Sequence, residues 1–333
     1  MDHEIFFTFP LNRITILAIA LALDFTFGDP QIGFHPIIIV GRFIKYLEKR
    51  LLKDNYTESM KKVNGLILIL IISVLILALS YLAIFYSFKI NMFFGNAISA
   101  VILYFMLCNG SMISHTRKIM TAINNKDLEK SRIEVGKIVG RNTGSLNFKE
   151  LIRATLESLA ENTSDGLIGP LFFYLLGGVP GVFLYKAINT LDSTVGYRNK
   201  KYKNFGFFSA KFDDILNYLP ARITALISGS LSFLAGGQMA YTFRTIKRYS
   251  SRHASPNSGF PESAFAGVLG LRFGGINHYF GRSIKTPYIG EKKKDFDTGD
   301  IKKGLRLSIC SSLFFSIIVI LIYVLLYIFL DTI

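Results

Sequence analysis

Residues 63–88, VNGLILILIISVLILALSYLAIFYSF, form an unbroken apolar run with no charged side chain. At 1.5 Å of rise per residue the run extends roughly 39 Å, enough to cross a hydrocarbon core of about 30 Å with some tilt. A core helix apolar on every face over this length would be unusual in a soluble domain, so the run predicts a membrane-spanning helix. Residues 92–113 and 305–330 have the same character. Residues 12–28 make a shorter block that carries Asp24 and has Arg13 near its start. No small-x-small cleavage site follows it, and the chain runs straight into Gly28-Asp29-Pro30. A retained helix is therefore expected there rather than a signal peptide. Half of the residues are hydrophobic and mean hydropathy is +0.38, which excludes an ordinary soluble domain. The expected fold is an all-α polytopic helical membrane protein, one integral domain over residues 1–333, with broken or re-entrant helices and cytoplasmic helical loops.

The net charge is +15, but 33 of the 38 lysines and arginines fall in four polar segments. Residues 29–62 hold 7, residues 114–165 hold 9, residues 197–213 hold 5 and residues 237–304 hold 12. Loops rich in Lys and Arg stay on the cytoplasmic side, so the excess reads as topology and attraction to anionic lipid. Basic patches interleaved with exposed aromatic residues are not evident, and no nucleic-acid partner is expected. The expected setting is the cytoplasmic membrane, with the functional loops facing the cytoplasm and the bilayer as a partner. Cys108 and Cys310 lie inside apolar blocks and carry no disulfide or metal argument.

On this topology residues 114–165 form a cytoplasmic helical insertion, with Leu151, Leu156 and Leu159 at helical spacing and a turn near residues 140–144. Residues 166–191 are apolar but interrupted by Gly177-Gly178-Val179-Pro180-Gly181. Each half is about ten residues, short of a crossing. Non-helical backbone at membrane depth needs protein or water to satisfy it, so this segment is expected to border a polar cavity. Residues 215–236, interrupted by Pro220 and Arg222, are expected to be a second partial element. Residues 237–304 then form a cytoplasmic motif loop.

Four segments are far denser in Asp, Glu, Asn, Arg, Gly and Pro than membrane sequence usually tolerates. In residues 23–42, Asp29 and His35 sit beside prolines that fix the local backbone; a capped helix end would look the same. In residues 157–166, Glu157, Glu161 and Asp165 recur every four residues and share one stripe of a continuous helix. Like charges at that spacing repel, which makes sense if a divalent metal or an ammonium group sits among them. A solvated face is the alternative, weakened by the apolar GLIGPLFFYLL that follows. In residues 189–222, Asp192 follows a half-helix and Arg198 and Asn199 follow Gly196-Tyr197. Asp213, Asp214 and Asn217 share a helix entrance at the membrane border, where ionisable residues are functional candidates; an ion-pair network with Arg198 and Arg222 is the alternative. In residues 251–275, the turn Ser255-Pro256-Asn257-Ser258-Gly259 leads to Glu262. Amides at a helix start, with Arg252 and Arg272 nearby in sequence, suit an anion such as phosphate. His253 alone is a weak candidate ligand. Walker, dinucleotide, HExxH and nucleophile-elbow motifs are absent.

The ordered motifs GDPQIGFHPIIIVGR, ESLAENTSDG followed by PLFFYLLGGVPG, NTLDSTVGYRN, FDDILNYLPAR and SPNSGFPESAFAGVLGLRFGG resemble the cobinamide-phosphate synthase family of cobalamin biosynthesis, the CobD/CbiB type. The resemblance covers residues 23 to about 275. The lysine-rich stretch 292–303 lies outside it. The resemblance implies a multi-pass carbon–nitrogen ligase that joins (R)-1-aminopropan-2-ol, or its O-phosphate, to a propionate carboxyl of adenosylcobyric acid. The product is adenosylcobinamide or its phosphate, and ATP and Mg²⁺ are implied with it. Glu157, Glu161, Asp165, Asp192, Asp213 and Asp214 then form the pool of metal ligands. Arg198, Arg222 and Arg252, with Asn199, Asn257 and Ser258, form the phosphate and substrate set. Glu262, His35 or Asp29 would take a proton from the ammonium. Expected partners are the corrinoid and the aminopropanol compound, with a homo-oligomer and contact with other corrinoid-pathway membrane enzymes left open. Two rivals remain: a Mg²⁺-dependent membrane transferase of another class, which lacks its usual spaced Asp-x-x-x-Asp motif here, and a transporter with half-helices lining a path.

Overall fold

A computed structural model of the chain describes residues 10–28, 35–197, 199–279 and 282–331. The helices are α1 (Pro10–Phe27), α2 (Pro36–Leu51), α3 (Glu58–Ile90), α4 (Met92–Tyr104), α5 (Asn109–Asn124), α6 (Leu128–Gly136), α7 (Phe148–Thr163) and α8 (Gly169–Val195), followed by α9 (Phe207–Leu216), α10 (Tyr218–Ser230), α11 (Met239–Tyr249), α12 (Gly259–Leu269) and α13 (Thr298–Asp331). Among the described residues, five helical stretches are long and apolar enough to cross a membrane. The protein is an all-helical polytopic membrane protein, with one small β-hairpin added to the expected class.

The chain divides into two units. Unit 1 comprises Met1–Cys108, Gly169–Leu216 and Ile317–Ile333. Its core packs Ile44 of α2, Leu68 and Ile72 of α3 and Leu191 of α8 around Phe205. The Thr57 side chain caps α3 by accepting the Met60 N–H at 3.2 Å. Only one face of α3 is covered by protein: Leu70, Val74 and Leu79 stay more than half exposed, as expected of a helix whose other face meets lipid. The interruption expected at residues 177–181 is a break at Gly178, whose φ of 59° and ψ of −152° leave the helical region. Pro180 follows, where a missing N–H costs nothing at a helix restart. The second part runs on to Val195, longer than the expected half-helix.

The block expected as one helix over 92–113 is two. α4 stops at Tyr104 and α5 starts at Asn109, where Asn109, Gly110 and Ser111 are poor helix formers. That point is also where unit 1 gives way to unit 2, which comprises Asn109–Ile168 and Asn217–Ser316. α7 is the buried centre of unit 2: every residue from 151 to 160 is shielded. A capping box starts it, with Asn147 Oδ1 accepting the Glu150 N–H at 3.0 Å and Glu150 Oε2 accepting the Asn147 N–H at 2.9 Å. α7 ends at Thr163 and passes into a π-helical turn, Ser164–Ile168. α10, with 13 residues, is roughly 20 Å long and too short to cross.

Residues 237–304 are not a loop. They fold into α11, α12, the start of α13 and an antiparallel pair, β1 (Phe273–Tyr279) and β2 (Arg282–Ile289). Phe273 stands opposite Ile289 and Ile276 opposite Lys285, with a bulge between Phe273 and Gly275. Gly274 and Gly275 adopt φ of 80° and 103°, a conformation that favours glycine and lets the bulge turn its peptide groups inward.

Candidate active site

α7 presents Glu157 and Glu161 one turn apart. Glu157 is 5% exposed. Its Oε2 accepts from Arg141 Nη2 at 2.5 Å, and its Oε1 accepts the bulge N–H of Gly274 at 2.8 Å. Arg153 Nε lies 3.8 Å from Oε1. Both arginines also donate to Asn277 Oδ1, at 2.8 and 3.0 Å, and Arg153 reaches the carbonyls of Gly274 and Ile276. The glycine bulge therefore closes a charge network around Glu157.

One turn further on, Glu161 meets His253 and Glu262, with the potential ligand atoms of all three within 4.8 Å of one another. His253 Nε2 is 3.7 Å from Glu262 Oε1. The Ser258 side chain hydrogen-bonds Glu161. His253 Nδ1 accepts the Ser255 N–H at 3.0 Å, so the neutral ring carries its hydrogen on Nε2, toward Glu262. That nitrogen is a donor rather than a metal ligand. Burial pushes the Glu262 carboxyl well above the usual range, the charges of Glu161 and Glu157 push it further, and Arg141 opposes them. Burial also lowers His253. Among the described residues no Lys or Arg forms a salt bridge with Glu161 or Glu262. The cluster sets a buried imidazole that resists protonation beside two carboxyls whose closeness disfavours a second negative charge.

The other candidates of unit 2 are Arg222 of the third motif and Asn257, Ser258, Arg252 and Arg272 of the fourth. Arg222 lies 3.4 Å from the ring centre of Tyr218 and 4.1 Å from that of Phe260, and it donates to the Tyr218 carbonyl at 2.7 Å and to Asn257 Oδ1 at 3.4 Å. Asn257 is buried. The amides of Asn257 and Ser258 donate to Ser255 Oγ at 3.2 and 3.3 Å, so they close the turn instead of facing outward. Arg252 is exposed over the Tyr249 ring, and Arg272 over Tyr288.

The six expected metal carboxylates divide three and three between the units. Asp165 is half-buried in the π turn that follows α7. Asp192, Asp213 and Asp214 belong to unit 1. The Asp192 carbonyl accepts the Gly196 N–H at 2.7 Å, and Asp213 Oδ1 accepts from Asn189 Nδ2 at 3.1 Å. Asp214 lines a cavity of about 290 Å³ with Lys62, Lys203 and Lys211. Asn199 Oδ1 caps a turn by accepting the Tyr202 N–H at 3.0 Å. His35 caps α2, its Nδ1 accepting the Ile37 N–H at 3.2 Å, a local structural duty. Asp29 and Arg198 lie outside the described residues.

Sequence reasoning left out Arg141, Arg153 and Asn277 and ranked His253 low. Asn277 is 136 positions from Arg141, and no local pattern announces such a pairing. The one available signal is that the turn at residues 140–144 places an arginine beside glycine.

The comparisons agree on one family. A family described as CobD/Cbib protein matches residues 17–308. The chain is 39% identical over 287 residues to the cobalamin biosynthesis protein CobD of Clostridium perfringens, covering 86% of this chain and 90% of the relative. It is 38% identical over 306 residues to the CobD of Clostridium acetobutylicum, covering 92% and 97%. Over 298 residues it is 36% identical to the cobalamin biosynthesis protein CbiB of Salmonella typhimurium, covering 88% and 93%. No solved structure matches. With nearly the whole chain matched, from within α1 to the early turns of α13, this protein belongs to the CobD/CbiB family.

Proposed function

We propose that the protein is the amide-forming ligase of cobalamin biosynthesis that joins (R)-1-aminopropan-2-ol, or its O-phosphate, to a propionate carboxyl of adenosylcobyric acid at the cytoplasmic membrane. Relatives named for cobalamin biosynthesis support the substrate class. The observation that carries the chemistry is the carboxyl pair Glu161–Glu262, packed against His253 and, among the described residues, without a Lys or Arg salt bridge.

The amine arrives as an ammonium and becomes a nucleophile only after losing a proton. Two carboxyls this close resist carrying two negative charges. An ammonium docked against them supplies the missing positive charge. A proton then passes from nitrogen to a carboxylate oxygen, leaving a neutral amine. The upward shift of Glu262 makes it a stronger base than a solvated carboxylate. His253 Nε2 stands 3.7 Å from Glu262 Oε1, and Arg222, gripped between two rings, offers charge for a substrate phosphate.

For ATP and Mg²⁺ the supporting donor chemistry lies among residues of unit 1. The cavity lined by Asp214 with Lys62, Lys203 and Lys211 pairs ammonium groups suited to phosphate oxygens with a carboxylate suited to a hard cation. Mg²⁺ bound there would offset phosphate charge.

The test incubates membranes carrying the protein with adenosylcobyric acid, the amine or its phosphate, ATP and Mg²⁺. Mass spectrometry should detect adenosylcobinamide or its phosphate, with ATP consumed. Uptake of the amine into sealed vesicles with no covalent product would sink the ligase reading in favour of transport.

A further inference from the structure

α2 turns one face to the core of unit 1 through Val40 and Ile44, and Glu48 falls one turn further along that face. Glu48 is 8% exposed, whereas Arg42, Lys45, Lys49 and Arg50 of the same helix are exposed. An apolar side chain would pack at such a position without a partner, but a buried carboxylate is costly unless donors meet it. Two donors do. Glu48 Oε1 accepts from Lys201 Nζ at 2.6 Å and from the Tyr202 hydroxyl at 2.8 Å, and Lys201 Nζ also donates to that hydroxyl at 2.9 Å.

Lys201 and Tyr202 belong to residues 199–206, a run of turns between α8 and α9. Such a segment has few backbone bonds of its own and keeps its shape only where it is pinned. The Lys203 N–H donates to the Asn199 carbonyl at 2.9 Å, and the Gly206 N–H to the Tyr202 carbonyl at 2.7 Å. Asn204 Nδ2 donates to Glu58 at the start of α3, and Phe205 is buried in the core. Lys203, Asn204 and Gly206 of the same segment line the cavity of about 290 Å³, together with Lys62, Lys211 and Asp214. Lys201 and Tyr202 do not line it. Glu48 therefore grips the neighbours of the lining residues and leaves the lining residues free for a ligand. Among the described residues Lys201 is ion-paired, whereas Lys62, Lys203 and Lys211 form no salt bridge.

We propose that Glu48 is a positioning residue for this cavity: by tying down Lys201 and Tyr202 it fixes the turns that present Lys203, Asn204 and Gly206 to the phosphates of ATP. The inference rests on the reading that this cavity takes ATP and Mg²⁺. Groups already held in place meet phosphate oxygens without further ordering, whereas a loosened turn must be ordered each time the nucleotide binds.

The test measures binding of radiolabelled ATP with Mg²⁺ to the full chain in nanodiscs by equilibrium dialysis, alongside the KM values of ATP and of the amine in product formation. Glu48→Met keeps the volume and removes the acceptor. It should raise the dissociation constant and KM of ATP roughly tenfold and leave the KM of the amine within about twofold. Glu48→Gln, whose amide oxygen still accepts, should recover part of the loss. Should Glu48→Met fail to fold, Tyr202→Phe carries the test, with an expected rise of about threefold. Lys203→Met, inside the cavity, tests the ATP reading separately and should weaken ATP binding several-fold. Unchanged ATP affinity in Lys203→Met would overturn that reading and the role of Glu48 with it. Weakened binding in Lys203→Met beside wild-type affinity in folded Glu48→Met and Tyr202→Phe would overturn the role of Glu48 alone. Equal losses in the KM of ATP and of the amine would make Glu48 a general structural residue and overturn it as well.

Discussion

Glu157 and Glu161 stand one turn apart on the same buried helix, in opposite surroundings. Glu157 is met by Arg141, by Arg153 and by the Gly274 amide. Glu161 faces a second carboxyl and a neutral imidazole. The first carboxylate is electrostatically complete and has nothing left for a substrate; it holds the hairpin and the turn at residues 140–144 against α7. The second is incomplete until a positive charge arrives, which is the condition of a site that binds an ammonium. Sequence spacing treats the two as equivalent, and their partners make them different.

The largest expected effect tests the structural half of this contrast. Arg141→Met strands a buried carboxylate and should cost about 3–5 kcal/mol, read from chemical or thermal unfolding in detergent. A loss below about 1 kcal/mol would make Glu157 as free as Glu161 and erase the distinction. Next, Glu161→Gln keeps the shape of the cluster and removes half of its proton-accepting pair. Turnover should fall roughly 10²- to 10³-fold while the melting temperature changes little. A large fall in stability with unchanged rate would reverse the roles of the two glutamates.

A smaller effect concerns pH. The Glu262 carboxyl is raised by burial and by its acidic neighbours from an ordinary value near 4.5. Above that pH the unfolded chain has released a proton that the folded chain retains, so this group makes stability fall as pH rises. Glu262→Gln removes the effect. The melting temperature of the variant should match the wild type near pH 4 and exceed it increasingly toward pH 8. A variant less stable at pH 8 would show that Glu262 is ionised and favourably paired, as Glu157 is. Smallest of all, Gly178→Ala forces a side chain into positive φ and should cost about 1–2 kcal/mol in unit 1; no loss would show that the break in α8 is not fixed by its glycine.

The fold was legible in the sequence where one physical signal dominates. Uniform apolarity marks α3 and α13, and Gly177-Gly178 with Pro180 marks the break in α8. The division between α4 and α5 was hidden because residues 105–108 remain apolar enough to read as one span. The hairpin of β1 and β2 was hidden for a different reason. Its bulge is stabilised by Arg153, 121 positions from Gly274, and its strands alternate poorly. In the site, Glu161 and Glu262 were visible by residue type and motif, but in separate lists, one as metal ligand and the other as base. Only the fold brings them together beside His253. The carboxylates of unit 1 show the reverse: Asp213 and Asp214 are adjacent in sequence, yet one is held by Asn189 and the other lines the lysine cavity.

The central claim is that the carboxyl pair Glu161–Glu262, not the arginine-bound Glu157, carries the chemistry. The most direct measurement is the rate of adenosylcobinamide formation by Glu262→Gln protein in vesicles, normalised to folded protein. A fall of at least roughly 100-fold, with a melting temperature at pH 8 equal to or above that of the wild type, is the predicted result. A rate within about twofold of the wild type would contradict it.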